Sequence, residues 1–187
     1  MVASDDILTF SIEFLGPFRV STGYAKPGVD NAVDPADPLP STSLKGVMRG
    51  TARQLLGAAP PLIDEVFGSA RVPSPWSWSN AKPDGTGWSV PQLAARVRID
   101  ERTHTAAHDM IGIAEQTWAP TACFTVTQVA HVGAPALHRT LLALAACGTR
   151  SLGANRRRGL GWVSITCADV SFDDADLTAL LETGTAS

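Results

Sequence analysis

The strongest constraint on this fold is the order in which two apolar patterns follow one another along the chain. Residues 7–16 alternate apolar and polar side chains, which is typical of a β-strand with one buried face. The predicted strands are residues 7–16, 93–100, 122–131 and 162–170, and the predicted helices are residues 43–56 and 135–147. This βαββαβ order predicts a ferredoxin-like α+β fold, in which two helices cover one face of an antiparallel sheet.

The length and composition fit one folded domain that occupies residues 1–187. Of these residues 44% are hydrophobic and 18% are charged, which is typical of a globular chain. We expect no secretory signal and no membrane partner, because the sequence has no long apolar run and begins without a basic segment. The cysteines are Cys123, Cys147 and Cys167, far apart and in no metal-binding spacing, so we expect free thiols and a cytoplasmic location.

Several segments lie outside this simple pattern. Residues 17–40 are rich in Gly, Pro and Asp and predict a long loop that is functional or mobile. Residues 62–68 predict a short helix, residues 104–120 read as a polar, broken insertion, and residues 171–187 form an acidic tail with a possible short helix at 175–182. The stretch between Trp76 and Trp88 is predicted to be irregular or a loose hairpin, packed on its own sheet or on a neighbouring chain.

Positive charge is clustered although the formal net charge is −3. The basic residues group at 45–53, 96–102 and 150–158, and nucleic-acid binding depends on such clusters more than on the total charge. The first group lies in LPSTSLKGVMRG, where Ser43 is predicted to cap a helix and Lys45 and Arg49 lie opposite its apolar stripe. A helix N-terminus with hydroxyl groups and cations is a natural phosphate site, although an ordinary amphipathic helix would look the same.

Two further segments carry the same chemistry. In RVRIDERTHTA a predicted strand ends in a basic, hydroxyl-rich turn. In SLGANRRRGLGWVSI three glycines bracket Arg156, Arg157 and Arg158. Glycine allows a ligand to approach the backbone closely and adjacent arginines can hold phosphate in two-pronged contacts, but an exposed turn with solvated cations is an alternative interpretation.

Together, these three segments resemble the RAMP superfamily of CRISPR–Cas proteins. They are most similar to the repeated backbone subunits of type III (Csm and Cmr) effector complexes, whose patterns read PGSSLKG.LR, VRID..TGTA and LG..RRRGLG. The resemblance runs from about residue 7 to residue 170 in the same order, and VFGS at 66–69 matches a further short element. One departure is His104, which stands where the family pattern has glycine.

The resemblance implies a modified RNA-recognition fold and a filament of subunits along a CRISPR RNA (crRNA). The expected partners are crRNA, target RNA, copies of this chain or other RAMP subunits, a large signature subunit and small subunits. Contact with the sugar–phosphate backbone suits a guide of changing sequence. The residues implied in RNA binding are Thr42, Ser43, Lys45, Arg49, Arg98, Gly153, Arg156, Arg157, Arg158 and Gly159.

The resemblance also implies cleavage of the bound target RNA at regular intervals. GVDNAVDP aligns with the family's loop aspartate and places Asp30 there, as the catalytic residue and the ligand of Mg²⁺ or another divalent cation. The alternative is that Asp30 only caps a turn. The family's thumb-like hairpin corresponds to residues 104–120, where Met110 and Ile111 would form a wedge between guide and target, unless they fold back onto the core.

Two other functions stay open on the sequence alone. The chain could be a non-catalytic RAMP subunit that binds crRNA or caps the filament. A crRNA-processing endoribonuclease with a histidine base is less favoured, because those enzymes usually have two ferredoxin-like halves. His104, His108, His131 and His138 fit no zinc spacing.

Overall fold

The computed structural model describes residues 7–23, 26–57, 61–156 and 159–185, without the side chains of residues 98, 106–110 and 183–185. The described residues form the strands β1 (Ile7–Phe14), β2 (Trp76–Trp78), β3 (Lys82–Pro83), β4 (Gln92–Ile99), β5 (Ala106–Gln116), β6 (Thr121–Gln128) and β7 (Val163–Cys167). They also form the helices α1 (Ser41–Leu56), α2 (Pro61–Phe67), α3 (Pro135–Gly148) and α4 (Asp174–Thr185).

The main sheet has the order β2-β6-β1-β7, and β3 also pairs with β6. All the pairings are antiparallel, and β1 lies between β6 and β7, where Phe10 is opposite both Phe124 and Cys167. This arrangement confirms the predicted ferredoxin-like α+β fold.

The core lies on one face of this sheet, under the helices. Alternate residues of β1 are buried, from Leu8 to Phe14, whereas the residues between them are exposed. Phe10 stacks on Phe124 with ring centroids 4.9 Å apart. The helices contribute mainly Leu44, Met48, Leu141, Leu142 and Ala145 to the same core. The period of two in the strands and the helical stripes together produce a sheet that is covered on one face.

The second strand of the sheet differs from the sequence prediction. The predicted strand 93–100 does form, as β4, but it pairs with β5 in a separate two-stranded hairpin. The edge of the main sheet is instead β2, whose Trp76 and Trp78 are buried. The physical reason is burial: β4 leaves Leu93 and Val97 more than half exposed, whereas the two tryptophans remove large apolar surfaces from water.

The β4–β5 hairpin replaces the irregular insertion that was predicted after residue 104. At its turn the N–H groups of Thr103 and Arg102 and the Thr103 hydroxyl donate to the Asp100 carboxylate, which lowers the pKa of Asp100. His104 has φ 54°, in the left-handed region that glycine adopts most easily. His104 therefore adopts a conformation that is uncommon for a residue with a side chain.

The helix boundaries confirm most predictions and correct one. Helix α1 begins at Ser41 after Pro40, with no side-chain capping bond, and the N–H of Ser43 donates to the Pro40 carbonyl. Ser43 is therefore inside the first turn and is not the N-cap. The predicted short helices at 62–68 and 175–182 form as α2 and α4.

The cysteines are free thiols. No helix that the structure describes has the length and apolar character for crossing a bilayer.

Candidate nucleic-acid interface

Helix α1 presents two different polar sides to two different clefts. Successive residues are rotated by about 100°, so Ser43, Val47 and Gly50 share one side and Lys45 and Arg49 another. The first side faces the loop that joins α3 to β7, and we call the space between them the glycine-loop cleft. The second side faces residues 67–78, and we call that space the tryptophan cleft.

The loop between α3 and β7 folds back so tightly that two of its positions require glycine. Gly153 and Gly161 have φ of 77° and 74°. A Cβ at Gly153 would lie 2.2 Å from the carbonyl oxygen of Arg19, and one at Gly161 would lie 2.0 Å from that of Leu152. Hydrogen bonds fix the fold-back, since Ala154 N–H donates to the Arg19 carbonyl over 2.7 Å. Residues 152–154 and 161 of the loop therefore form a fixed wall of backbone.

The glycine-loop cleft consists of two adjoining cavities of about 630 and 380 Å³. Arg156 lines both cavities and is exposed. The floor is held by a hydrogen bond of 2.9 Å between the hydroxyls of Thr51 and Thr149, which connects α1 to the end of α3. The other polar lining residues are Ser21, Ser43, Gln54, Arg150, Ser151 and Asn155. Hydroxyls, amides and arginines in an open cleft suit the oxygen-rich backbone of a nucleic acid.

The tryptophan cleft, on the other side of α1, consists of two adjoining cavities of about 530 and 360 Å³, and its cations already have partners. The Nζ of Lys45 lies 4.9 Å from the centre of the Trp78 ring, a cation–π contact. Burial lowers the pKa of Lys45, and the charge of Arg49 lowers it further. Arg49 donates to Asp64 over 2.7 Å, although its buried Nε has no partner.

Asp30 lies in the long loop before α1, at the side of strand β5. Its N–H donates to the carbonyl of Ile113 and its Oδ2 accepts from the N–H of Ile113, each over 2.8 Å. Two residues of β5 further on, Glu115 accepts from Lys26 and from the N–H of Val33, and these bonds lower the pKa of Glu115. Asp30 and Asn31 are therefore bound to β5 through their backbone, and the Glu115 side chain holds the residues on either side of them.

The carboxylates of this loop do not converge on one point. Asp34 accepts from the N–H of Ala36, whereas Asp37 accepts from the side chain of Asn80. Burial raises the pKa of Asp37, and the charge of Asp34 adds to the effect. Within the described part of the chain no three His, Cys, Asp or Glu side chains are grouped to hold a metal ion. Asp30 is exposed, and its second oxygen has no hydrogen bond to a described residue, so it can serve as a single carboxylate ligand.

Comparison with known proteins identifies the family. The sequence matches the RAMP superfamily over residues 11–164, which is most of the chain. This chain belongs to the RAMP superfamily. A similar solved structure is "Cryo-EM structure of the Type III-B Cmr-beta bound to cognate target RNA", with a TM-score of 0.62 and 19% sequence identity. The match covers 86% of the RAMP chain and 60% of the chain it resembles. No curated protein sequence matches.

The structure divides the predicted RNA-binding residues of this RAMP chain between the two clefts. Ser43, Gly153 and Arg156 line the glycine-loop cleft, whereas Thr42, Lys45 and Arg49 line the tryptophan cleft. Gly159 lies in the same loop with φ of 79° and open space around it. Arg157, Arg158 and the side chain of Arg98 lie outside the described residues. The predicted residues therefore do not form a single track along one side of α1.

Sequence reasoning missed most of the polar lining of the glycine-loop cleft in this RAMP chain, and three of the missed residues show why. Thr51 and Gln54 follow Ser43 and Val47 at spacings of three and four residues, so all four lie on one side of α1. This pattern was overlooked because the apolar stripe of the same helix is more prominent. Asn155 has φ of 59°, a conformation that asparagine tolerates better than most residues, and only the structure shows it there.

The remaining predicted site residues lie away from the glycine-loop cleft. Ile111 is 63% exposed and pairs with Val97, several residues from the hairpin turn, and the side chain of Met110 is outside the described residues. His138 is buried and accepts a hydrogen bond from Trp76. No histidine appears among the described residues that line the glycine-loop cleft.

Proposed function

We propose that this RAMP chain is a subunit of a type III CRISPR effector complex and binds crRNA without regard to its sequence. The observation that carries the proposal is the glycine-loop cleft, a rigid backbone wall that faces the hydroxyl-bearing side of α1. Family membership and the fold shared with a chain of the Cmr-beta complex support it. Because the chain spans about 60% of that relative, its partners and activity are part of the proposal.

The cleft favours a sugar–phosphate chain over base edges. Arg156 supplies a charge-assisted donor to phosphate, and Ser43 and Ser151 supply hydroxyls that can bond to phosphate or ribose. Such contacts fix the position of a strand without reading its sequence, which is what a changing guide requires. The target is then selected by base pairing with the guide.

We further propose that Asp30 takes part in cleavage of target RNA with a divalent cation such as Mg²⁺. The exposed carboxylate offers one oxygen beyond its bond to Ile113, and magnesium sites commonly combine one or two protein carboxylates with phosphate oxygens and water. The cation would neutralise charge on the reacting phosphate. Alternatively, the same oxygen would orient the ribose 2′-hydroxyl for attack on the adjacent phosphorus. The P–O5′ bond would break, the proton of the 2′-hydroxyl would pass to solvent, and O5′ would take up a proton from solvent. The products are a 2′,3′-cyclic phosphate and a 5′-hydroxyl.

A second candidate function, a non-catalytic or capping RAMP subunit, is favoured by one specific contact. The same Asp30 carboxylate joins the loop to β5 through Ile113, so a purely structural role would explain its position. The two candidates differ in copy number, because a repeated backbone subunit occurs several times in a complex and a cap occurs once.

The test uses the purified native complex with complementary RNA and Mg²⁺, with and without a chelator. We expect co-purified crRNA and cuts at regular intervals that the chelator abolishes. Asp30→Asn keeps an oxygen that can accept from Ile113 but removes the charge, whereas Asp30→Ala removes both. If Asp30 is catalytic, both variants retain crRNA and target binding and lose the cuts by at least about 100-fold.

Three results would count against the proposed function. Cutting that survives in Asp30→Asn and fails in Asp30→Ala assigns the residue a structural role. Cutting at unchanged intervals in both variants removes Asp30 from the mechanism. A native complex that contains no RNA overturns the proposed function as a whole.

A further inference from the structure

Arg19 is an unusual residue because its charge is buried at a point where the backbone is fixed on both sides. It is only 5% exposed. The preceding residue, Phe18, exchanges two backbone hydrogen bonds with Thr117, of 2.9 and 3.0 Å. The carbonyl of Arg19 itself accepts from Ala154 in the glycine loop, and Gly153 packs against the same carbonyl. Arg19 therefore cannot move far without disturbing two structural elements.

The Nε of the Arg19 guanidinium is buried without a hydrogen bond to a described residue. No ion pair between described residues includes Arg19. The nearby charge is another cation, Arg96 on β4. Burial lowers the pKa of Arg19, and the charge of Arg96 lowers it further. A buried, unpaired charge is strongly unfavourable, so a fold that retains one keeps it for something other than its own stability.

Arg19 adjoins one part of the candidate interface in the sequence, and Arg96 belongs to the other part. Val20 and Ser21, the residues after Arg19, line the glycine-loop cleft. Arg96 is opposite Gly112 in the hairpin, and a Cβ on Gly112 would lie 3.5 Å from Oδ2 of Asp30. Since cross-strand partners share a face, Arg96 and the Asp30 carboxylate lie on the same face of the hairpin.

We propose that Arg19 and Arg96, which we call the arginine pair, bind a phosphate group of an RNA strand where the hairpin meets the glycine-loop cleft. The proposal rests on the proposed function, because it assumes that the cleft binds RNA. Two guanidinium groups offer planar, forked donors that match the oxygens of a phosphodiester. A phosphate would supply the ion-pair partner that Arg19 lacks among the described residues, and it would lie on the Asp30 side of the hairpin.

The test is to replace Arg19 with an apolar residue of similar length. Arg19→Met removes the unpaired charge and keeps most of the packing, so the melting temperature of the RNA-free protein should stay unchanged or rise by about 2–4 °C. Affinity for a 20-nucleotide RNA should fall about tenfold, and the salt dependence of binding should decrease by about one phosphate contact. The matched control is Arg53→Met, on the exposed end of α1, which should change neither property.

Opposite changes in melting temperature and RNA affinity would overturn the proposal that the arginine pair binds phosphate. A melting temperature that falls more than in Arg53→Met shows that Arg19 is structural, and an unchanged RNA affinity shows that it does not bind phosphate. Arg96→Met provides a second variant at a less buried position, and it should weaken RNA binding in the same direction. Binding of crRNA alone and of complementary RNA to the guide-loaded complex shows which strand supplies the phosphate, since the weakened step identifies the strand.

The failure of this proposal can be distinguished from the failure of the proposed function. If the wild-type protein binds RNA and Arg19→Met binds it equally well, only the arginine pair is wrong. If the wild-type protein binds no RNA but inorganic phosphate raises its melting temperature, and Arg19→Met loses this effect, the pair binds an anion and the RNA function is wrong. If the wild-type protein binds neither, both proposals fall.

Discussion

The two clefts on either side of α1 both contain cations, but these cations differ in whether they have partners within the described chain. In the tryptophan cleft Lys45 rests on Trp78 and Arg49 donates to Asp64, so both cations have partners within the chain. In the glycine-loop cleft Arg156 is exposed and forms no ion pair with a described residue, and the opposite wall is backbone held by tight turns. The cations of the tryptophan cleft therefore contribute to the packing of the fold, whereas Arg156 is available to bind a ligand.

This difference shows that a cation indicates a ligand-binding site only when its contacts within the chain are also known. A lysine stacked on an aromatic ring must give up that contact, or share it, before it can bind phosphate. An exposed arginine beside a rigid backbone turn gives up little on binding, because the wall is already in its final conformation. We therefore expect RNA to depend more on the glycine-loop cleft than on the tryptophan cleft.

The largest expected effect comes from adding one methyl group to the wall of the glycine-loop cleft. Gly153→Ala places a Cβ 2.2 Å from the Arg19 carbonyl at φ of 77°, so the backbone must shift, and we expect a loss of about 3 kcal/mol or more in the free energy of unfolding. Gly159→Ala is the matched control, because its φ is 79° but its Cβ would meet nothing within 4 Å. It should cost only about 1–2 kcal/mol. Urea unfolding of both variants measures the difference, and equal losses would show that the close approach at Gly153 is unimportant.

The next prediction compares the two clefts directly through RNA affinity. Arg156→Gln should weaken binding of a 20-nucleotide RNA about tenfold, or about 1.4 kcal/mol, because an unpaired phosphate donor is lost. Arg49→Gln should weaken it less, since Arg49 already donates to Asp64. Titrations at two salt concentrations, with circular dichroism to confirm folding, test the ranking. If Arg49→Gln has the larger effect, the tryptophan cleft is the RNA site and the comparison is reversed.

The local elements were largely predictable from the sequence because their causes are local. The alternation in β1 and the stripe in α1 report directly on which residues are buried. The glycines of the α3–β7 loop were interpreted as room for a ligand, whereas Gly153 and Gly161 make room for carbonyl groups of the chain itself. The Asp30 position was suggested by a motif. Its bonds to Ile113 could not be predicted, because they join residues 83 positions apart in the sequence.

The misjudged features depend on pairing between distant segments. The segment that forms β4 has good strand character, and nothing in its own sequence tells whether it joins the main sheet or turns back onto β5. Trp76 and Trp78 lie in a strand of only three residues, too short to show a period, although the alternation of buried tryptophan and exposed serine was a usable signal. The separation of Lys45 from Arg156 into two clefts required knowledge of what packs on each side of α1.

The smallest predicted effect is a dependence of stability on pH that arises on the tryptophan-cleft side of α1. Trp76, which lines that cleft, donates from Nε1 to Nδ1 of His138 over 3.2 Å, so the acceptor nitrogen must be unprotonated. Burial lowers the pKa of His138 below its ordinary value of 6.5, and the nearby Glu65 carboxylate offsets part of this effect.

His138 in the unfolded chain takes up a proton at a higher pH than in the folded chain, so its contribution to stability is complete above about pH 6.5. The contribution is lost as the pH falls from there through the lowered pKa of the folded protein. His138→Gln cannot take up that proton but can still accept from Trp76, so urea unfolding between pH 8 and pH 5.5 should show a flatter loss of stability than in the wild type. We expect the two proteins to differ by about 1 kcal/mol in how much unfolding free energy they lose, which is the net contribution of one hydrogen bond. His131→Gln, at an exposed position, is the control and should keep the wild-type slope. If His138→Gln keeps it as well, the buried imidazole does not link Trp76 to pH, and the two sides of α1 respond to acid alike.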